Sequence, residues 1–282
     1  MRIYIVIPTY NEEAHLAQTL QSLVEQTIIP NRIVVVNDNS TDNSQDIIDD
    51  FSKKYNFITS ISNISADVHE PGSKVINAFN KGLEELDDKF DVLCKFDADL
   101  IFPKHYIESI ISIFNTNLEC GMAGGFCQIL DKGDWKLENL TNKDHIRGAL
   151  KAYKKECFKQ IGGLKSTMGW DTIDELLAQY QGWKIETDSS LLVKHMKPTG
   201  ASYSKSGTHR QGEAFYKMRY GFLLSLIATI KLGTRKKSLM FIINAMKGYS
   251  AALRNKTPYS VSEEEGIFIR NLRWRGIKKK LL

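Results

Sequence analysis

Apolar runs and helical stripes alternate along most of the chain. RIYIVIP (2–8) is β-rich and stops at Pro8. In NEEAHLAQTLQSLVEQT (11–27), Leu16, Leu20 and Leu23 share one helical face, and Asn11 with its following glutamates marks the expected helix start. NRIVVVND (31–38) is a second apolar run, and NSTDNSQDIIDDFSKKY (39–55) supplies capping residues and then Ile47, Ile48 and Phe51. FITSIS (57–62) is a third expected strand. SKVINAFNKGLEEL (73–86) has a helical stripe, with Val75, Phe79 and Leu86 expected inside. FDVLCKFDADL (90–100) predicts a strand, FPKHYIESIISIF (102–114) a helix, and CGMAGGFCQI (120–129) another strand. Such alternation predicts an α/β fold, a mostly parallel sheet flanked by helices.

The pattern then loosens. WKLENLTNKDH (135–145) is polar and loop-like, and KAYKKECFKQIGG (151–163) follows it. TIDELLAQYQ (172–181) has helical spacing and SSLLVKHM (189–196) reads as a strand. From about residue 209 the chain turns helical and basic, which divides it into a catalytic-type region, 1–208, and a helical appendage, 209–282.

Charge sharpens that division. The net charge is +5, from 38 Lys/Arg and 33 Asp/Glu. From Lys231 onward there are 13 Lys/Arg and 3 Asp/Glu, leaving 25 basic and 30 acidic residues in the first 230. An acidic body with a basic tail points to an anionic surface. The tail contains two uncharged stretches, YGFLLSLIATI (220–230) and SLMFIINAM (238–246). Both are shorter than the ~20 apolar residues of a spanning helix. They are expected to be amphipathic helices flanked by Arg235, Lys236 and Lys237, lying on a membrane surface or packing on the protein. Trp274 among the cations of RNLRWRGIKKKLL fits anionic lipid. No nucleic-acid-binding module accompanies the charge. The start of the chain carries no signal-peptide pattern, and Cys94, Cys120, Cys127 and Cys157 lack CxxC spacing. The expectation is buried free thiols in a cytoplasmic protein, peripheral at most on the inner membrane face.

The chemistry sits where the strands end. In an open parallel sheet, ligands bind beyond the carboxyl ends of the strands. Here those ends read PTYNE (Pro8–Glu12), NDNSTD (Asn37–Asp42) and DAD (Asp97–Asp99). No glycine-rich phosphate loop is present. Two aspartates two positions apart on a strand point to the same side and repel, unless a cation sits between them. Mg²⁺ or Mn²⁺ held by such acids and completed by phosphate oxygens would serve.

In their order and spacing, PTYNE, NDNSTD, DAD, the Gly162-Gly163 pair and Trp170-Asp171 resemble the family 2 glycosyltransferases of GT-A fold, over roughly residues 2–200. The resemblance implies a nucleotide-sugar donor, UDP by default, and a hydroxyl acceptor on a surface glycan or lipid-linked saccharide. It implies that Pro8, Thr9, Tyr10, Asn11 and Glu12 cradle base and ribose, that Asp38 binds the base, and that Lys74 contacts the nucleotide. Asn37 stands where the family usually has an aspartate. Asp97 would reach the ribose or the metal, Asp99 would hold the metal, and His195 would be a third ligand. The family's general base lies in an acidic pair eleven residues before a glycine. Asp171, eleven before Gly182, fits that role, although Trp170 replaces the usual glutamate. Asp171 is otherwise an N-cap, and Asp174 and Glu175 otherwise serve the helix dipole.

Arg147, Gly148, Trp170, Asp174 and Arg210 are expected near the acceptor or the phosphates, with His145, Lys197 and His209 close by. Trp170 and Trp183 would form an aromatic wall or pack in the core. Two further readings remain on sequence alone: a nucleotidyltransferase, which would carry a basic glycine-rich loop after the first strand, and a non-catalytic membrane scaffold of the same fold.

Overall fold

The computed structural model describes residues 1–63, 72–138, 144–197 and 205–281. The first half follows the predicted alternation: β1 (Ile3–Thr9), α1 (Leu16–Val24), β2 (Arg32–Asp38), α2 (Ser44–Lys54), β3 (Ile58–Asn63), α3 (Ser73–Glu84) and β4 (Val92–Phe96). These strands pair in parallel in the order β3-β2-β1-β4. Helices cover both faces, so β1, β2 and β4 are buried almost throughout and read as unbroken apolar runs.

The second half changes character. It contains β5 (Leu100–Ile101), α4 (Tyr106–Thr116), β6 (Cys120–Asp131), β7 (Asp134–Leu137), β8 (Leu150–Lys154), α5 (Lys155–Gln160), α6 (Trp170–Tyr180) and β9 (Lys184–His195). β8 runs antiparallel to both β4 and β6, β9 is parallel to β6, and β5 is antiparallel to β9. The parallel sheet is therefore extended by a mixed half, and the two halves meet at β4–β8. All four cysteines are buried and unpaired.

Four local expectations change. The first helix begins at Leu16, not at Asn11, because Asn11 has φ +52° and serves a turn. On α3, Ile76, Ala78 and Phe79 are buried while Val75 is only half-buried, as is Leu86 just past the helix end. Part of the expected 135–145 loop is β7, a hairpin partner of β6. The DAD motif lies in a turn between β4 and β5, so its carboxylates are not placed by strand alternation.

The C-terminal helices are α7 (Lys205–Lys217), α8 (Gly221–Arg235), α9 (Leu239–Arg254) and α10 (Glu263–Leu281). The 208/209 boundary thus falls inside α7. Helices α7 and α9 cross in near backbone contact: a Cβ on Gly212 would stand 1.6 Å from the Ala245 carbonyl, and one on Gly248 1.8 Å from that of His209. Helix α10 reaches the body through Phe268, whose ring meets Tyr180 of α6 edge-on at 5.5 Å.

Candidate active site

Two loops at the carboxyl edge of the sheet are laced together. Asn11 Oδ1 accepts from the Thr41 amide (2.8 Å), and Ser40 Oγ accepts from the Asn11 amide (3.0 Å). Ser44 Oγ accepts from the Glu12 amide, and Asp42 accepts from the amides of Glu13 and Ser44. PTYNE and NDNSTD are therefore one folded unit. Asn37 belongs to its frame, donating to Gln45 and accepting from the Ser40 amide. Thr9 is buried beside Asn37 in the β1–β2 register, and Pro8 pairs with Val36. Asp38 is buried and accepts from Asn63 Nδ2 at 2.7 Å. Tyr10 stands exposed beyond β1, with Lys74 Nζ 5.7 Å from its ring centre. An exposed ring with a cation above it, next to a buried carboxylate, suits a nucleobase and ribose.

The turn Asp97–Asp99 is clamped from beneath. Thr19 on α1 is fully buried, donates to the Ala98 carbonyl (2.7 Å) and accepts from the Leu100 amide (3.0 Å). Such pairing is required of a buried turn. Asp97 forms an ion pair with Lys95, which is buried and also donates to the Gly148 carbonyl. Asp99 is buried, with Oδ2 3.4 Å from His195 Nε2. On the other side of that imidazole, Nδ1 lies 3.7 Å from Glu138 Oε2, and Glu138 is ion-paired with Arg147. Burial alone would lower the pKa of His195, but Asp99 and Glu138 outweigh it and raise it to about 9. Glu12 is pushed up to about 7, first by burial and also by repulsion from Asp99 and Asp97, against the pull of Lys197 at 2.6 Å. The site thus gathers four carboxylates, Glu12, Asp97, Asp99 and Glu138, each beside a basic side chain.

A hard divalent cation suits the carboxylate–imidazole pair of Asp99 and His195, whereas Asp97 is already ion-paired with Lys95. Among the described residues, the group whose ligand atoms all lie within 4.8 Å of one another is Cys127, Glu138 and His195, without Asp97 or Asp99. Burial holds the Cys127 thiol up to about 12, which makes it the poorest ligand of the three.

A second cluster surrounds the start of α6. Gly169, with φ +79°, takes the N-cap position, so Asp171 is not the cap. Asp171 Oδ2 lies 3.7 Å from His145 Nε2, and His145 Nδ1 lies 2.8 Å from Glu175 Oε2. Burial would raise the Asp171 pKa, but His145, Lys151 and Arg147 overcome it and hold it at about 2. Asp174 differs. It is buried against Lys151 Nζ (2.7 Å) and the Tyr153 hydroxyl, and burial raises it to about 6 despite the lysine. Asp174 and Glu175 therefore neutralise a fully buried lysine. Asp171, with a third of its side chain exposed, is the carboxylate of this cluster open to a substrate.

The remaining expected residues separate. Trp170 is buried, with the ammonium groups of Lys95 and Lys151 5.2 and 5.8 Å from its ring centre. Gly148 lies against it so closely that a Cβ would stand 2.8 Å from the ring. Trp183 lies beyond the other end of α6, a helix about 16 Å long at 1.5 Å per residue. The two tryptophans form no common wall. Arg210 lines a groove of about 250 Å³ with Ser73, Thr167, Met168, Glu213 and Lys217, between the start of α3, the loop before α6 and helix α7.

Comparison with known proteins bears on the family and the fold. Residues 4–164 match the family described as glycosyl transferase family 2. A probable glycosyltransferase, YdaM, of Bacillus subtilis (strain 168) is 37% identical over 147 residues, covering 51% of this chain and 34% of that one. The chain spans about a third to a half of the length of the curated relatives it matches. Among solved structures, S. aureus TarS 1–349 in complex with UDP-GlcNAc superposes with a TM-score of 0.58 at 16% identity, covering 75% of this chain and 65% of that one. The mannosyltransferase PcManGT from Pyrobaculum calidifontis, in complex with GDP-Man and Mn²⁺, gives 0.58 at 14% identity, covering 100% and 81%. These two likenesses establish the GT-A fold.

Proposed function

The chain belongs to glycosyl transferase family 2, and on that premise we propose that it moves a sugar from a nucleoside-diphosphate donor to a hydroxyl acceptor with inversion. The observation that carries this reading is the division of labour among the carboxylates. Asp97 and Asp99 gather at the end of β4 beside Glu12, while Asp171 is kept ionised at a separate, partly exposed position.

The nucleoside would lie over Tyr10 and Asp38 with Lys74 above. Asp99, with Asp97 and His195 beside it, would hold Mg²⁺ or Mn²⁺, and the cation would neutralise charge on the departing diphosphate. The acceptor oxygen attacks the anomeric carbon from the face opposite the diphosphate. As the new C–O bond forms and the bond to the diphosphate oxygen breaks, the hydroxyl proton passes to an Asp171 carboxylate oxygen. His145, Lys151 and Arg147 hold its pKa below the ordinary carboxylate value, which favours the ionised form at neutral pH, and exclusion of water by the acceptor would increase its basicity. UDP is the expected nucleotide. The expected acceptor is a glycan or lipid-linked saccharide, admitted along the groove lined by Arg210 and Lys217.

The test is the release of nucleoside diphosphate from a panel of UDP-, GDP- and dTDP-sugars, with and without EDTA. Release that depends on divalent metal supports the reading. Release of pyrophosphate instead would make the chain a nucleotidyltransferase, and no release with any donor would leave a binding scaffold.

A further inference from the structure

Helices α8 and α9 form an antiparallel hairpin, closed by a turn at Lys237 (φ +49°) and capped where Ser238 Oγ accepts from the Phe241 amide. The two helices are tightly joined, since a Cβ on Gly233 would stand 2.3 Å from Ile242. One side of the hairpin is inside the protein: Leu224, Ser225 and Thr229 of α8, with Phe241, Ala245 and Tyr249 of α9. Each helix also exposes apolar residues. Phe222, Leu223 and Ile230 are 59%, 55% and 44% exposed, and Leu239, Met240 and Ile243 are 72%, 61% and 41% exposed. Phe222 and Ile230 are eight residues apart, and Leu223 and Ile230 seven, so all three lie along one face of α8. Exposed apolar residues gathered in this way mark an interaction surface.

The charge around that face identifies its occupant. Residues 214–262 contain nine Lys/Arg and no Asp or Glu. Lys231, Arg235, Lys236 and Lys237 lie on the surface at the tip of the hairpin. At 15 and 16 residues, α8 and α9 reach only about 22–24 Å, short of the ~30 Å hydrocarbon core. No helix among the described residues is long and apolar enough to cross a membrane.

We propose that the α8–α9 hairpin docks this protein on the surface of an anionic lipid bilayer, with the apolar face at the headgroup boundary and the basic tip against lipid phosphates. An in-plane amphipathic pair with a cationic flank has this chemistry. The inference uses no residue of the sugar-transfer site and stands independently of it.

The experiment is co-sedimentation of the full chain with vesicles of phosphatidylglycerol and phosphatidylcholine, beside vesicles of phosphatidylcholine alone, at low and at molar salt. The protein should pellet with the anionic vesicles at low salt and be released by salt. Neutralising Arg235, Lys236 and Lys237 together by glutamine should weaken binding about 100-fold, at roughly fivefold per charge. The pair Leu239→Ser and Met240→Ser should weaken it at least tenfold. Both sets are on the surface, so thermal stability should be unchanged, which separates lost docking from lost folding. Absence of binding to anionic vesicles, or equal binding to neutral ones, overturns the proposal. So does a dimer in light scattering that the Leu239 and Met240 substitutions dissolve while vesicle binding persists, because the face would then belong to a second copy of the chain.

Discussion

Substitution His145→Gln tests the electrostatic account of the α6 cluster. In the folded chain His145 is wedged between Asp171 and Glu175, with Lys151 and Arg147 as opposing cations nearby. Burial depresses the imidazolium, yet the two carboxylates raise its pKa from the ordinary 6.5 to about 9. At 1.36 kcal/mol per tenfold, that preference corresponds to roughly 3 kcal/mol. Glutamine can keep a hydrogen bond to Glu175, so the expected loss is about 2 kcal/mol.

The pH dependence has a definite sign. Below pH 6.5 the histidine is charged in both folded and unfolded chains, and its contribution is complete. As the pH rises through about 9 the folded chain loses the proton and the contribution disappears. Urea denaturation of wild type and His145→Gln on either side of this window should show a gap of about 2 kcal/mol in acid that closes in alkali. A gap that is constant with pH, or that widens in alkali, would refute the ion-pair reasoning.

Three further outcomes follow from the same geometry. Asp171→Asn should retain nucleotide binding by calorimetry while turnover falls roughly 10²–10⁴-fold, and undiminished turnover would remove Asp171 from the role of base. Lys151→Met should cost about 3–5 kcal/mol in urea denaturation by stranding Asp174 and Glu175, and combining it with Asp174→Asn and Glu175→Gln should recover most of that loss. Tyr10→Ala should weaken nucleoside diphosphate binding by up to about tenfold at unchanged melting temperature; undiminished affinity would show that the ring does not carry the base.

The parallel half of the sheet was legible because its strands are buried on both faces and leave continuous apolar runs, such as Ile33–Val36. The acids at the strand ends were legible because nothing in a helix or strand calls for DAD at that point. The lysines beneath the site were not. Lys95 and Lys151 sit in strands where alternation reads them as solvent-facing, yet both are buried, held by Asp97, Gly148, Asp174 and Glu175. Lys151 finds its carboxylates more than twenty residues away, which no local pattern reports. The same long-range pairing holds Asp174 against Lys151, where its place in the expected first helical turn had suggested the helix dipole.

Asn11 looked like a helix cap because asparagine favours caps, but it also tolerates positive φ, and here it joins two loops. Thr19 gave no signal on α1, since a buried hydroxyl that pairs with a distant turn resembles any polar residue of a helix. In the C-terminal hairpin the spacing announced amphipathic helices. Only the packing of α7 and α9 decided which face stayed bare.

The central claim is that Asp99 anchors a divalent cation without which the donor's diphosphate is not held. Thermal shift with UDP, GDP, dTDP and CDP in the presence of Mn²⁺ tests it most directly, because a ligand stabilises the fold only to the extent that it binds. Melting temperature should rise with one of these nucleotides, and the rise should be lost on adding EDTA and in Asp99→Ala. Nucleotide stabilisation that survives both chelation and Asp99→Ala would contradict it.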